Sequence, residues 1–179
     1  MAFSLFDDDE PADLLDRMDP ADPMASHRHK SQAAKARKTA WVLSLAGFIP
    51  FGGLALATLF LAPRNPQEML VMDALKTYGA VILSFLGGTR WGMALRNQNR
   101  DDGATNFILS VVPSLVGWFS LLLPAPYVFG VQALAFAGQG AWDVWAGQRG
   151  EVQMWFVKLR QVLTFLVTGA MIVAFFGTV

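Results

Sequence analysis

The chain has 179 residues, 54% hydrophobic, 12% aromatic and only 16% charged, with zero formal net charge and no cysteine. Soluble domains carry roughly 25% charged residues, and here 14 of the 28 charges lie in residues 1–39, leaving 14 for the other 140. Such an apolar segment has too little polar surface to cover a water-soluble globule; a disordered chain, a nucleic-acid binder, a disulfide scaffold and a cysteine-based metal or redox site are disfavoured or excluded.

Residues 1–39 read as a cytoplasmic polar tail in two halves. Residues 7–22 hold eight acids and one base, Arg17, interrupted by Pro11 and Pro20. They predict a solvated, disordered arm, with residues 13–18 offering one amphipathic turn to a partner. Residues 27–38 hold five bases and two histidines. This basic half is juxtamembrane and would gain roughly 1 kcal/mol per Lys or Arg from anionic lipid, beyond its plain role as a positive-inside anchor. The pair His27 and His29 has no third ligand nearby, so no metal site is expected. A polar stretch this long is unlike the short basic start of a signal peptide, and the tail is expected to stay attached.

Residues 40–179 contain five apolar runs near membrane-crossing length. They cover about 40–62, ended by Pro63 and Pro66; 73–95, ended by the polar run 96–102; 106–123, stopped by Pro124 and Pro126; 125–146; and 155–178. At 1.5 Å per residue, ~22 residues span roughly 33 Å, against ~30 Å of hydrocarbon. The third run is the shortest and is compatible with a re-entrant or strongly buried element. Pro124-Ala125-Pro126 leaves almost no loop, which predicts antiparallel neighbours on either side. The expected fold is all-α, a polytopic bundle of five transmembrane helices. Pro50, followed by Gly52 and Gly53, predicts a kink in the first helix, and Pro113 a bend in the third.

Lys and Arg near the span ends give the orientation. Arg28, Lys30, Lys35, Arg37, Lys38, Arg96, Arg100, Arg149, Lys158 and Arg160 fall on one side; Arg64 and Lys76 fall on the other. The expected location is the cytoplasmic (inner) membrane, with the N-terminus cytoplasmic and the C-terminus outside. Trp41, Trp91, Trp142, Trp145 and Trp155 then lie near the cytoplasmic interface, where amphipathic rings prefer to sit, and Trp118 lies within its span.

An ionisable residue inside a bilayer marks a candidate site, because an isolated charge in hydrocarbon costs several kcal/mol. Arg90, Asp143 and Arg160 each lie three to five residues inside their spans, roughly 4–8 Å deep, and so share one layer. That predicts an interhelical cluster in which Asp143 pairs with one or both arginines; the alternative is arginines snorkelling to headgroups. Gln132, Gln139 and Asp143 fall within a ~40° arc of one helix, beside Phe136, and Arg160, Thr164 and Thr168 within about 80° of another. Both stripes are expected to point into the bundle. In the second span Ala80, Ser84, Gly88 and Gly92 recur every four residues and admit close helix packing, as a central bundle helix or as a dimer seam. Gly79 and Gly87 permit close packing on the side of Arg90 as well.

Catalytic patterns are missing. No histidine lies in any span, and no Gly-rich phosphate loop, G-x-S-x-G elbow or H-E-x-x-H is present. Ser84, Ser110 and Ser114 have no obvious base beside them. Five spans give no even inverted repeat, which weakens a transporter reading.

The stretch from Tyr78 through Leu83, Ser84, Gly87, Gly88, Thr89, Arg90 and Trp91 to Gly92 resembles a known family of bacterial membrane proteins. That family is grouped as domain of unknown function 3429, with eukaryotic relatives called transmembrane protein 69. The segments 47–51 and 110–114, Asp143, and the Leu159-Arg160 and Leu163-Thr164 pairs also match its pattern, over about residues 40–175. The resemblance implies an integral membrane protein and no activity, so it carries over no catalytic residue. The expected function is a non-catalytic accessory or assembly factor that packs against other membrane subunits, with no cofactor, metal or nucleic-acid partner. The alternative is a small carrier or binder of an anionic lipid, metabolite or quinone. Its site would be the intramembrane cluster Arg90, Asp143, Arg160, Gln139 and Thr164.

Overall fold

A computed structural model describes residues 23–61, 66–96, 103–149 and 152–179. The acidic segment 7–22, Arg64 and the loop charges Arg100, Asp101 and Asp102 lie outside the described residues, as do the side chains of residues 23–30, including His27 and His29. Five helices follow one another and, among the described residues, no strand occurs: α1 Pro23–Phe60, α2 Pro66–Arg96, α3 Gly103–Ser120, α4 Tyr127–Gln148 and α5 Met154–Gly177. The chain divides into two units between Val42 and Leu43.

In the first unit, helix begins at Pro23, inside the stretch read from sequence as polar tail. Proline is favoured at the first helical position, where its missing N–H would be unpaired anyway. Ala33, Ala34 and Ala36 then alternate with Gln, Lys and Arg, all strong helix formers. Residues 31–39 are exposed throughout, and Thr39 caps back onto the Lys35 carbonyl at 3.0 Å.

The second unit is a bundle. Helix α2 also opens on a proline, Pro66, with Glu68 in its first turn, so it starts two turns before the apolar run at Asp73. Helix α3 stops at Ser120 rather than near residue 123. Leu121, Leu122 and Leu123 donate to carbonyls three residues back, at 3.0–3.1 Å, because Pro124 and Pro126 lack an N–H and push their predecessors out of helical conformation. Trp118 therefore lies in the last turn of α3 instead of deep within a span. Helices α2 with α3 and α4 with α5 form the most intimate pairs, while α4 also touches α2 and α3.

Phe51, Leu75, Leu83, Val128, Phe129, Phe136 and Met171 make the dry centre. Phe51 brings α1 onto it, 4.8 Å from the Tyr78 ring and edge-on to Phe136 at 5.7 Å. Pro50 and Pro113 both lie inside continuous helices. A proline removes one backbone donor from the ladder, and beside this break the Tyr78 hydroxyl donates to the Gly47 carbonyl at 2.8 Å. The outside is apolar: Phe60, Phe165 and Leu134 are 83%, 78% and 76% exposed. Helices α1, α2 and α5 are long and apolar enough to cross a membrane, and α3 contains a shorter apolar helix. This is the exterior of a helical bundle whose solvent is lipid.

Candidate functional site

The rotation of α4 positions the site. Its buried residues Phe129, Gln132, Phe136, Gly140, Asp143 and Gly147 recur at helical spacing, so the polar stripe faces protein. Asp143, with 7% of its side chain exposed, uses each oxygen on a different helix. Its Oδ1 accepts from Arg90 Nη2 of α2 at 2.7 Å, and its Oδ2 accepts from Arg160 Nε of α5 at 2.7 Å. Arg90 Nε also donates to Gln139 Oε1, one turn before Asp143, at 3.1 Å. The Trp142 ring lies 4.8 Å from the Arg90 guanidinium carbon, a distance at which the ring quadrupole attracts a cation. The arginine side chains are 14% and 13% exposed. One carboxylate thereby ties three helices in a single layer, and charge-assisted bonds of this length are the stronger kind.

Four of the five residues read as one cluster are linked in series, Gln139 to Arg90, Arg90 to Asp143 and Asp143 to Arg160. Thr164 is not among them. It lies against Gly140, where an added Cβ would come 2.5 Å from the threonine side chain. Thr164 and Thr168 line a groove between α4 and α5 instead of joining the charges. A threonine leaves the cluster at little cost, since a single hydroxyl is far cheaper to place beside lipid than an unpaired charge.

A second polar knot lies deeper in the bundle. Gln132, fully buried, donates through Nε2 to the Lys76 carbonyl at 2.8 Å and to Ser120 Oγ at 3.0 Å, and Ser120 passes its own proton to the Gly117 carbonyl at 2.7 Å. Sequence reasoning placed Gln132 on the polar stripe but did not find Ser120, because nothing distinguishes it from serines bonded only within their own helix. Gly79 was legible only as a possible close-packing position: the Gln132 carboxamide occupies the space that a Cβ would need.

The four-residue stripe on α2 divides. Ala80 is buried and meets Gly117 of α3, whose Cβ would come 3.1 Å from the Ala80 carbonyl oxygen. Ser84, Gly88 and Gly92 are exposed, and a Cβ on Gly88 or Gly92 would meet nothing within 4 Å. Close helix contact inside the chain uses Gly79 and Gly87 instead; at Gly87 a Cβ would come 2.5 Å from the Ser110 carbonyl oxygen. Of the two roles left open for this stripe, Ala80 takes the packing role inside the bundle, while nothing of the described chain comes within 4 Å of a Cβ at Gly88 or Gly92. Arg90 must reach α4, and that turns Gly88 and Gly92 outward.

Four hydroxyls donate to carbonyls of their own helices: Ser84 to Ala80, Ser110 to Phe107, Thr58 to Ala55 and Thr89 to Leu86, at 2.6–3.0 Å. Among the described residues, no three His, Asp or Glu side chains gather as metal ligands. Nothing in this arrangement points to catalysis.

Transmembrane protein 69 of Xenopus tropicalis is 40% identical over 97 residues, which are 53% of this chain and 37% of that protein. The chain thus matches little more than a third of that relative's length. No solved structure matches. The family profile described as protein of unknown function DUF3429 matches residues 36–176, most of the chain and the whole of the ion cluster. This chain is a member of the DUF3429 family.

Proposed function

We propose that this membrane protein is a non-catalytic accessory or assembly factor of the cytoplasmic membrane. Its N-terminus is cytoplasmic, and it packs against other membrane subunits through α2. The observation that carries this reading is the uncovered face formed by Ser84, Gly88 and Gly92. Small residues at four-residue spacing let a second backbone approach closely, and in lipid that close packing is the main source of helix association. Within the chain the polar side chains of the bundle brace helices, and the Asp143 layer would hold α2 at the rotation that presents this face.

The orientation rests on the ten-to-two bias of Lys and Arg. Exposed Lys35, Arg37 and Lys38 on α1 would add attraction to anionic lipid, about 1 kcal/mol for each base near the surface.

Gentle solubilisation and mass spectrometry of co-purifying proteins test the reading. Wild type should bring down a defined set of membrane proteins, and Gly88→Leu with Gly92→Leu should lose them while retaining the wild-type melting temperature. A solitary wild-type monomer, or unchanged co-purification in the double variant, would overturn it.

A further inference from the structure

The outer seam between α4 and α5 is left open as a groove of about 270 Å³. On α4 it is lined by Ala137, Gly140 and Ala141, and on α5 by Gln161, Thr164 and Phe165. Two of these residues are unmet within the chain. Phe165 is 78% exposed, so a large ring stands beside a hollow floored by small side chains. Gln161 is half-buried, and among the described residues its carboxamide makes no hydrogen bond. A carboxamide carries two donors and an acceptor oxygen, and acyl chains can satisfy none of them.

Register along the membrane normal decides what fits. A Cβ on Gly140 would come 2.5 Å from the Thr164 side chain, which sets the two at one level. Phe165, the next residue, therefore lies level with the hollow between Ala137 and Ala141. Copies of one chain inserted in the same orientation hold every residue at the same depth. A two-fold axis along the membrane normal then brings the Phe165 of each copy to the level of the other's hollow, and Gln161 to the level of Gln161. Because a carboxamide both donates and accepts, it is complementary to its own copy. An unrelated protein would need a large side chain and an amide at those same two levels; a second copy has both. We infer that the α4–α5 seam is a two-fold homodimer interface. Phe165 of each protomer fills the other's groove against Ala137 and Ala141, and the two Gln161 carboxamides hydrogen-bond across the axis. The accessory role proposed above uses the α2 face, so this interface goes beyond that reading and does not depend on it.

The chain has no native cysteine, so single-cysteine variants of the full chain, oxidised in native membranes, test the interface. Gln161→Cys should form a disulfide-linked dimer, while Leu56→Cys, at an exposed position on α1, should not. In mild detergent, wild type should sediment as a dimer, and Phe165→Ala should weaken it at least tenfold without changing the melting temperature. Ala141→Trp, which fills the hollow from an exposed position, should do the same. A monomeric wild type, absence of cross-linking at Gln161→Cys, equal cross-linking at Leu56→Cys, or unchanged dimer affinity in Phe165→Ala would each overturn the proposal. Self-cross-linking through Gly88→Cys in place of Gln161→Cys would overturn it as well, by moving the second copy to α2. A dimer that purifies with no other protein would refute the accessory role and leave this interface standing.

Discussion

Asp143 holds two arginines from two helices, so losing it is not equivalent to losing either arginine. Asp143→Ala leaves two cations uncompensated in the bundle, and breaking a buried pair from one side costs about 3–5 kcal/mol. The expected result is a large drop in melting temperature, followed by tryptophan fluorescence in detergent. Replacing all three charges together, Asp143→Leu with Arg90→Met and Arg160→Met, should recover most of that loss, since an apolar substitute of similar volume carries no desolvation penalty. A triple variant as unstable as Asp143→Ala would mean that the charges do more than pair. Tyr78 supports the proline break in α1 through one neutral hydrogen bond, and Tyr78→Phe should cost about 1 kcal/mol in the same assay.

Among the helices, the glycines make opposite predictions at nearly adjacent positions. At Gly87 and Gly140 an added Cβ meets α3 or α5 at 2.5 Å. Gly87→Ala and Gly140→Ala should therefore lower the melting temperature, more for Gly87 because the obstacle there is backbone. At Gly88 and Gly92 nothing lies in the way, and alanine is favoured over glycine within a helix by about 0.8–1 kcal/mol. Gly88→Ala and Gly92→Ala should be neutral to stabilising for the isolated protein. Equal destabilisation at all four positions would place α2 at a different rotation. Helix α4 shows why hydropathy ranks elements poorly: it is not among the three helices apolar enough to cross by composition, yet it contacts α2, α3 and α5. The face of α4 turned to its neighbours is solvated by protein, so it can carry buried Gln132 and Asp143 and half-buried Gln139 while Leu134 on another face stays exposed.

For the whole molecule, topology is the open quantity that a chemical label reads directly. The native chain has no cysteine, so Ser31→Cys and Val179→Cys, both at exposed positions, each give a single reporter. A membrane-impermeant maleimide should reach Ser31→Cys only in inside-out vesicles and Val179→Cys only in right-side-out ones. Protease should cut before residue 40 in inside-out vesicles alone. The reverse labelling pattern would invert the proposed orientation, whatever the outcome for the α4–α5 seam or the α2 face.

Composition and run length were enough to establish a helical membrane protein with five helices, because bilayer thickness and unsatisfied backbone groups leave few other solutions for so apolar a chain. The pairing of Arg90, Asp143 and Arg160 was legible for a related reason: charges in one layer of a low-dielectric medium have few alternatives to one another. Two things needed coordinates. Thr164 and Thr168 obey no comparable constraint, and only packing put them in a groove rather than in the cluster. The rotation of α2 was equally undetermined, since it carries small residues on two faces and either admits a neighbour. The long reach of Arg90 to Asp143 and the fit of Gln132 against Gly79 chose between them, and contacts between residues some fifty positions apart leave no trace in local periodicity.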